Sequence, residues 1–148
     1  VWLIERTDLT VTDVLVSLSA TTPTMPTNYT YKRRIGAMKT GGSSNWTKFI
    51  QNGDEFLWDV PVLDLSSVTI GTASVTELLS VPTGLSVNAL FSAEVINSTT
   101  NNAAISFWCP DTTGPGSATA QALFCSNTTV VAASGYFNIR TNSSALIS

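Results

Sequence analysis

Residues 31–59 read YKRRIGAMKTGGSSNWTKFIQNGDEFLWD, and the second half of this stretch decides the fold class. Two β-prone runs, 46–51 and 54–58, flank Asn52-Gly53. Asn-Gly is the favoured central pair of a two-residue type I′ turn, because both central residues take positive φ and these two tolerate it. The spacing therefore predicts a β-hairpin over residues 46–58 turning on Asn52-Gly53. The first half holds three of the chain's seven cations, Lys32, Arg33 and Arg34, and the stretch as a whole carries Trp46 and Trp58, two of its four tryptophans.

Working outward, the chain reads as strands throughout. Residues 1–5 form a short apolar run, and 7–10 a turn. Residues 11–19 alternate, with Val14, Val16 and Leu18 on one parity and Leu15, Ser17 and Ser19 on the other, the pattern of a half-buried strand. The prolines and threonines of 21–30 mark a loop crossing between sheets. Residues 29–35 return to extended structure, which Gly36 and then Gly41-Gly42-Ser43-Ser44 break. Pro61 makes 60–65 an edge or crossover segment, since proline cannot donate to a central ladder, and β-branched residues make 68–77 a strand. The longest candidate is 85–95, with Leu85, Val87, Ala89, Phe91, Ala93 and Val95 on one face and Asn88, Ser92 and Glu94 opposite, as a one-sided antiparallel strand requires. A turn over 97–102 follows, then strands over 104–109, 120–125, 129–133 and 136–141. Short strands at this spacing predict an all-β fold, an antiparallel β-sandwich of jelly-roll type in a single domain spanning 1–148.

Composition narrows the function classes. The chain has 148 residues, enough for a sizeable core, a net charge of −3 and only 11% charged residues against roughly 25% in ordinary domains. It thus has no general basic footprint for nucleic acid. No apolar run reaches the ~18 residues of a membrane helix, so membrane insertion is not expected. With no histidine and two cysteines, the common zinc patterns and the Ser-His and Cys-His nucleophile systems are excluded. A mean hydropathy of +0.21 implies apolar surface buried against other chains.

Individual residues give few chemical leads. Asp54, Glu55 and Asp59 could form a carboxylate pair or a calcium site. Adjacent strand residues point to opposite faces, however, and the Asp-x-Asp spacing of a calcium loop is absent, so they read as solvated residues beside the turn. Lys32 and Arg34 should share one strand face, with Arg33 on the other, and pair with Asp54, Glu55, Asp59 or a neighbouring subunit. Among the tryptophans (Trp2, Trp46, Trp58, Trp108), Trp58 reads as buried. Trp46, beside a Gly-Ser loop, is the one candidate for an exposed ligand contact. No catalytic residue, cofactor or metal is expected. Cys109 and Cys125 fall at strand ends, where a disulfide is geometrically open. Asn28, Asn45, Asn97, Asn127 and Asn142 each begin an Asn-x-Ser/Thr sequon, at a frequency this Ser/Thr-rich chain gives by chance.

The wording Tyr31-x-Arg33-Arg34-Ile35-Gly36, a polar insert, then Phe49-x-Gln51-x-Gly53-Asp54-Glu55-Phe56-Leu57-Trp58-Asp59 resembles tail-fibre-like and uncharacterised virion proteins of tailed bacteriophages and prophages. The similarity runs upstream into VTDVLVSLSATTPTMP and downstream into VPTGLSVNALFSAEV. The resemblance implies a non-enzymatic virion protein of fibre or spike type, placed on the particle surface in tail or head. Its partners would be other virion proteins and further copies of itself, with three copies favoured and a bacterial surface glycan as a target. It implies assembly in a reducing cytosol and hence two free cysteines. It also implies a longer protein, since VWLIER reads as mid-domain and IRTNSSALIS as ending without a closing strand. A capsid decoration protein and a secreted carbohydrate-binding module are the rival classes.

Overall fold

The computed structural model describes residues 1–53, 55–97, 102–115, 123–126 and 131–148. The described residues are all-β and every strand pair is antiparallel. The strands form one three-stranded sheet and four two-stranded ones; the two facing sheets of a jelly roll stay an expectation. The chain divides into two compact units, Val1–Leu63 and Asp64–Ser148.

In the first unit, β1 (Trp2–Arg6) lies between β2 (Val11–Leu15) and β3 (Tyr29–Arg34). The turn at 7–10 forms as expected; Thr10 adopts a positive φ there, and an Arg6–Asp8 ion pair at 2.7 Å clips it. Successive residues point to opposite faces. One face carries Trp2 and Ile4, both buried, with Lys32 and Arg34 opposite them in register. The segment after β2 returns toward this face: the Trp2 indole donates to the Ser19 carbonyl, and Pro23 is buried. The 21–30 loop thus serves as a cover in this unit.

The other face carries Leu3, Glu5, Thr12, Val14, Tyr31 and Arg33, and here the structure corrects the sequence reading. The strand over 11–19 stops at Leu15, and its apolar parity points outward. Val14 is 55% exposed, Val16 is also exposed, and Leu18 is fully so. Leu15, on the polar parity, is the half-buried one because it pairs with Trp2. Parity alone cannot tell which face of a strand a domain covers.

The hairpin forms from β4 (Phe49–Asn52) and β5 (Glu55–Trp58), with its turn displaced by one residue. Asn52 pairs with Glu55 as the last rung, and Gly53, at φ 60°, lies in the turn; Asn52 is not among the positive-φ residues. Moving the turn by one residue slides the strands by two. Every side chain therefore keeps its face, and the hydrophobic pattern is blind to the difference. Phe49, Phe56 and Trp58 share one face, with Phe49 and Phe56 stacked at 4.3 Å between centroids.

The second unit is organised on a long ribbon of β7 (Asn88–Asn97) and β10 (Val131–Arg140), which follows β6 (Glu77–Leu78) and is interleaved in sequence with β8 (Ala103–Ile105) and β9 (Leu123–Cys125). The alternation expected over 85–95 is observed: Ala89, Phe91, Ala93 and Val95 face inward. Phe91, Phe107 and Phe137 pack together there, next to a core of Leu79, Ala89 and Ile147. The strand expected over 104–109 ends at Ile105, and three further expectations change. First, the two strands expected over 129–133 and 136–141 merge, within the described residues, into the single β10 (Val131–Arg140), because Ser134-Gly135 runs straight through: a Cβ on Gly135 would lie 3.2 Å from Leu123 and 3.0 Å from Phe137, so glycine is there for close packing, not as a break. Second, 68–77 is not a strand. Residues 60–76 are exposed and without a ladder, although Val60, Val62, Leu63, Leu65, Val68, Ile70 and Val75 are among them. Third, the C-terminal stretch does hold a strand. An Asn142 turn, in which Oδ1 accepts from the amides of Ser144 and Leu146, leads into β11 (Leu146–Ile147), which pairs with β6. The turn expected over 97–102 falls mostly outside the described residues; Asn97 itself ends β7 and is buried.

Candidate functional site

The two halves of the quoted motif meet. Gly36 lies two residues beyond β3, and Gln51 on β4 lies against it: a Cβ at Gly36 would come within 2.5 Å of Gln51 Oε1. Gln51 Nε2 donates to the Ile35 carbonyl at 2.9 Å and to the Gly53 carbonyl at 3.1 Å. One amide thus joins the end of the cationic strand to the hairpin turn. Glycine at 36 and the Gln-x-Gly spacing at 51–53 are what this close approach requires. Beside it lies an open cavity of about 200 Å³ lined by Ile35, Gly36, Ala37, Met38, Phe49 and Gln51 among others. That is smaller than the ~300–1,000 Å³ of small-molecule sites, and it holds no carboxylate or other charged side chain. The motif therefore reads as a structural latch.

The cations do not pair as expected. Among the described residues the ion pair is Arg6–Asp8, not one from Lys32, Arg33 or Arg34 to Glu55 or Asp59. The reason is the face they occupy: Lys32 sits opposite Ile4 with its ammonium 5.9 Å over the Trp2 ring, a cation–π contact. Arg34 sits opposite Trp2, with Nε 3.5 Å from the Gly36 carbonyl and Nη1 buried without a partner. Burial lowers its pKa from the usual guanidinium value. Arg33 is exposed on the outer face.

Asp54 lies outside the described residues. Glu55 and Asp59 are exposed, one opening β5 and the other in the bend just past its end. Trp46 is 54% exposed. It bridges to Thr40 at the base of a small turn in which the Gly41 amide donates to the Asn45 carbonyl. Trp46 is thus exposed as expected, whereas Trp58, expected buried, is half-buried, with Lys39 5.7 Å over its ring. Cys109 and Cys125 are free and buried, with Cys125 Sγ 3.5 Å from the Val95 carbonyl.

Sequence reasoning missed the outer face of the β2–β1–β3 sheet. Its rows are Val14–Leu3–Arg33 and Thr12–Glu5–Tyr31, apolar groups around one anion and one cation. The usable signal was apolar residues on both parities of 11–18. Comparison with protein-family models, curated proteins and solved structures returns no match.

Proposed function

We propose that the chain is a non-enzymatic structural module of a phage particle, of fibre or spike type, that works by assembling with copies of itself and with other virion proteins. The observation that carries the assembly role is the amount of apolar surface left open. Val14, Val16, Leu18, Tyr31, Leu63, Leu90, Ile96 and Tyr136 are among the exposed groups, and partner chains are what normally cover such a surface. The particle location rests on the resemblance of residues 31–59, as does the expectation of three copies.

Attachment to a bacterial surface glycan is the second role, carried by Trp46, which offers an open indole for stacking on a sugar ring. Immunogold labelling of virions from a host carrying the gene tests the location: label on the tail supports a fibre module, label on the head a decoration protein, and unlabelled particles sink the virion reading. Glycan-array binding that Trp46→Ala abolishes would establish attachment. Binding by a monomer from outside any particle would instead favour a secreted carbohydrate-binding module.

A further inference from the structure

We infer that the outer face of the β2–β1–β3 sheet is a two-fold docking surface for a second copy of this chain. The inference rests on the self-associating reading above and assigns it a place. The face presents Leu3, Val14 and Tyr31, the last 63% exposed, together with Glu5 and Arg33. Glu5 pairs in register with Tyr31, so Arg33 is its diagonal neighbour, and the two form no ion pair within the sheet. The face is therefore neutral overall, yet carries one unpaired charge of each sign.

That arrangement is self-complementary. Strands lie about 4.8 Å apart and two residues span about 6.8 Å, so Glu5 and Arg33 stand roughly 8 Å apart on the diagonal. Consider a two-fold axis in the plane between two such faces, perpendicular to that diagonal. It sets Glu5 of one copy over Arg33 of the other, and the same operation sets Arg33 over Glu5. On an idealised lattice this axis passes within roughly 2 Å of the positions of Leu3, Val14 and Tyr31, so each apolar side chain meets its own copy or an apolar neighbour. The strands of the two sheets then cross at roughly 70°, between the aligned (~30°) and orthogonal (~90°) classes of sheet packing. One rotation satisfies both charges and brings the apolar groups together, which is what an isologous interface demands.

Sedimentation velocity on the whole chain, from about 1 to 100 µM, tests this with Glu5→Arg, Arg33→Glu, the double swap and Val14→Lys. The wild type should form dimers, or hexamers if the expected three copies pair across this two-fold axis. Each single swap should weaken self-association by about tenfold or more, since two attractive pairs become repulsive, and the double swap should restore it. Val14→Lys, which sets two ammoniums together near the axis, should weaken it with no rescue. All three positions lie on the open face, and matching circular dichroism melts confirm that the four variants fold. An oligomer, trimer included, that ignores these changes overturns the surface but leaves the self-associating reading standing. Single swaps that weaken without rescue in the double overturn the reciprocal pairing. A wild-type monomer at 100 µM overturns both.

Discussion

Gly36 and Gln51 hold each other in place, and the interaction has a sign that can be measured. The Cβ of Gly36→Ala would displace the end of a flexible side chain, losing the Gln51 bonds to the Ile35 and Gly53 carbonyls at a cost of about 1 kcal/mol. Gly36 has no positive φ, so alanine also stabilises by ~0.5 kcal/mol through the unfolded chain. Gly36→Ala should therefore be slightly destabilising in the wild type and stabilising in a Gln51→Ala background, by urea denaturation. The same sign in both backgrounds would mean there is no latch. Gly53 gives a second contrast. With φ at 60° and open space around it, Gly53→Ala should cost about 1 kcal/mol of backbone strain, whereas Asn52→Ala should cost less than ~0.5 kcal/mol. Equal costs would return the turn to Asn52-Gly53. The thiols provide a third test at this scale. Cys109 and Cys125 are buried and free, so neither should react with a thiol reagent in the native protein, and both should on unfolding.

At the scale of elements, the β7–β10 ribbon was the most legible part of the chain. Phe91, Ala93 and Val95 alternate against Ser92 and Glu94 because one face packs on Phe107, Phe137 and the core and the other does not. Such one-sided burial writes a period of two directly into the sequence. Gly135 was not legible, since a glycine that breaks a strand and one that lets Leu123 and Phe137 approach look alike in sequence. Substitution separates them. By propensity, Gly135→Val should help a strand, but packing makes it overfill the space beneath Leu123 and cost about 1–3 kcal/mol. A gain in stability would show that the strand needs no glycine there. The 68–77 segment failed for the opposite reason: Val68, Thr69 and Ile70 have the propensity, but the described residues offer no partner strand. Of the candidate site, the exposure of Trp46 could be read from its Gly-Ser neighbours. The outer face of β2–β1–β3 could not, because its selection depends on which side the segment after β2 covers.

Taken whole, the chain keeps little of its apolar side-chain surface for itself. Its buried hydrophobic set among the described residues is small, with Trp2 and Ile4 in one unit and Leu79, Ala89, Cys125 and Ile147 among those in the other. Open apolar groups occur on the outer sheet face, along residues 60–75 and on the outer side of the ribbon, where Tyr136 is 93% exposed. Eleven per cent charge leaves little to keep such surfaces apart in water. If copies of the chain cover these surfaces, as proposed, its melting temperature should rise with protein concentration. Sedimentation velocity of the wild-type chain at micromolar concentration tests this most directly. The expected result is a species at a multiple of 15.7 kDa; a clean monomer that binds no apolar dye would contradict it.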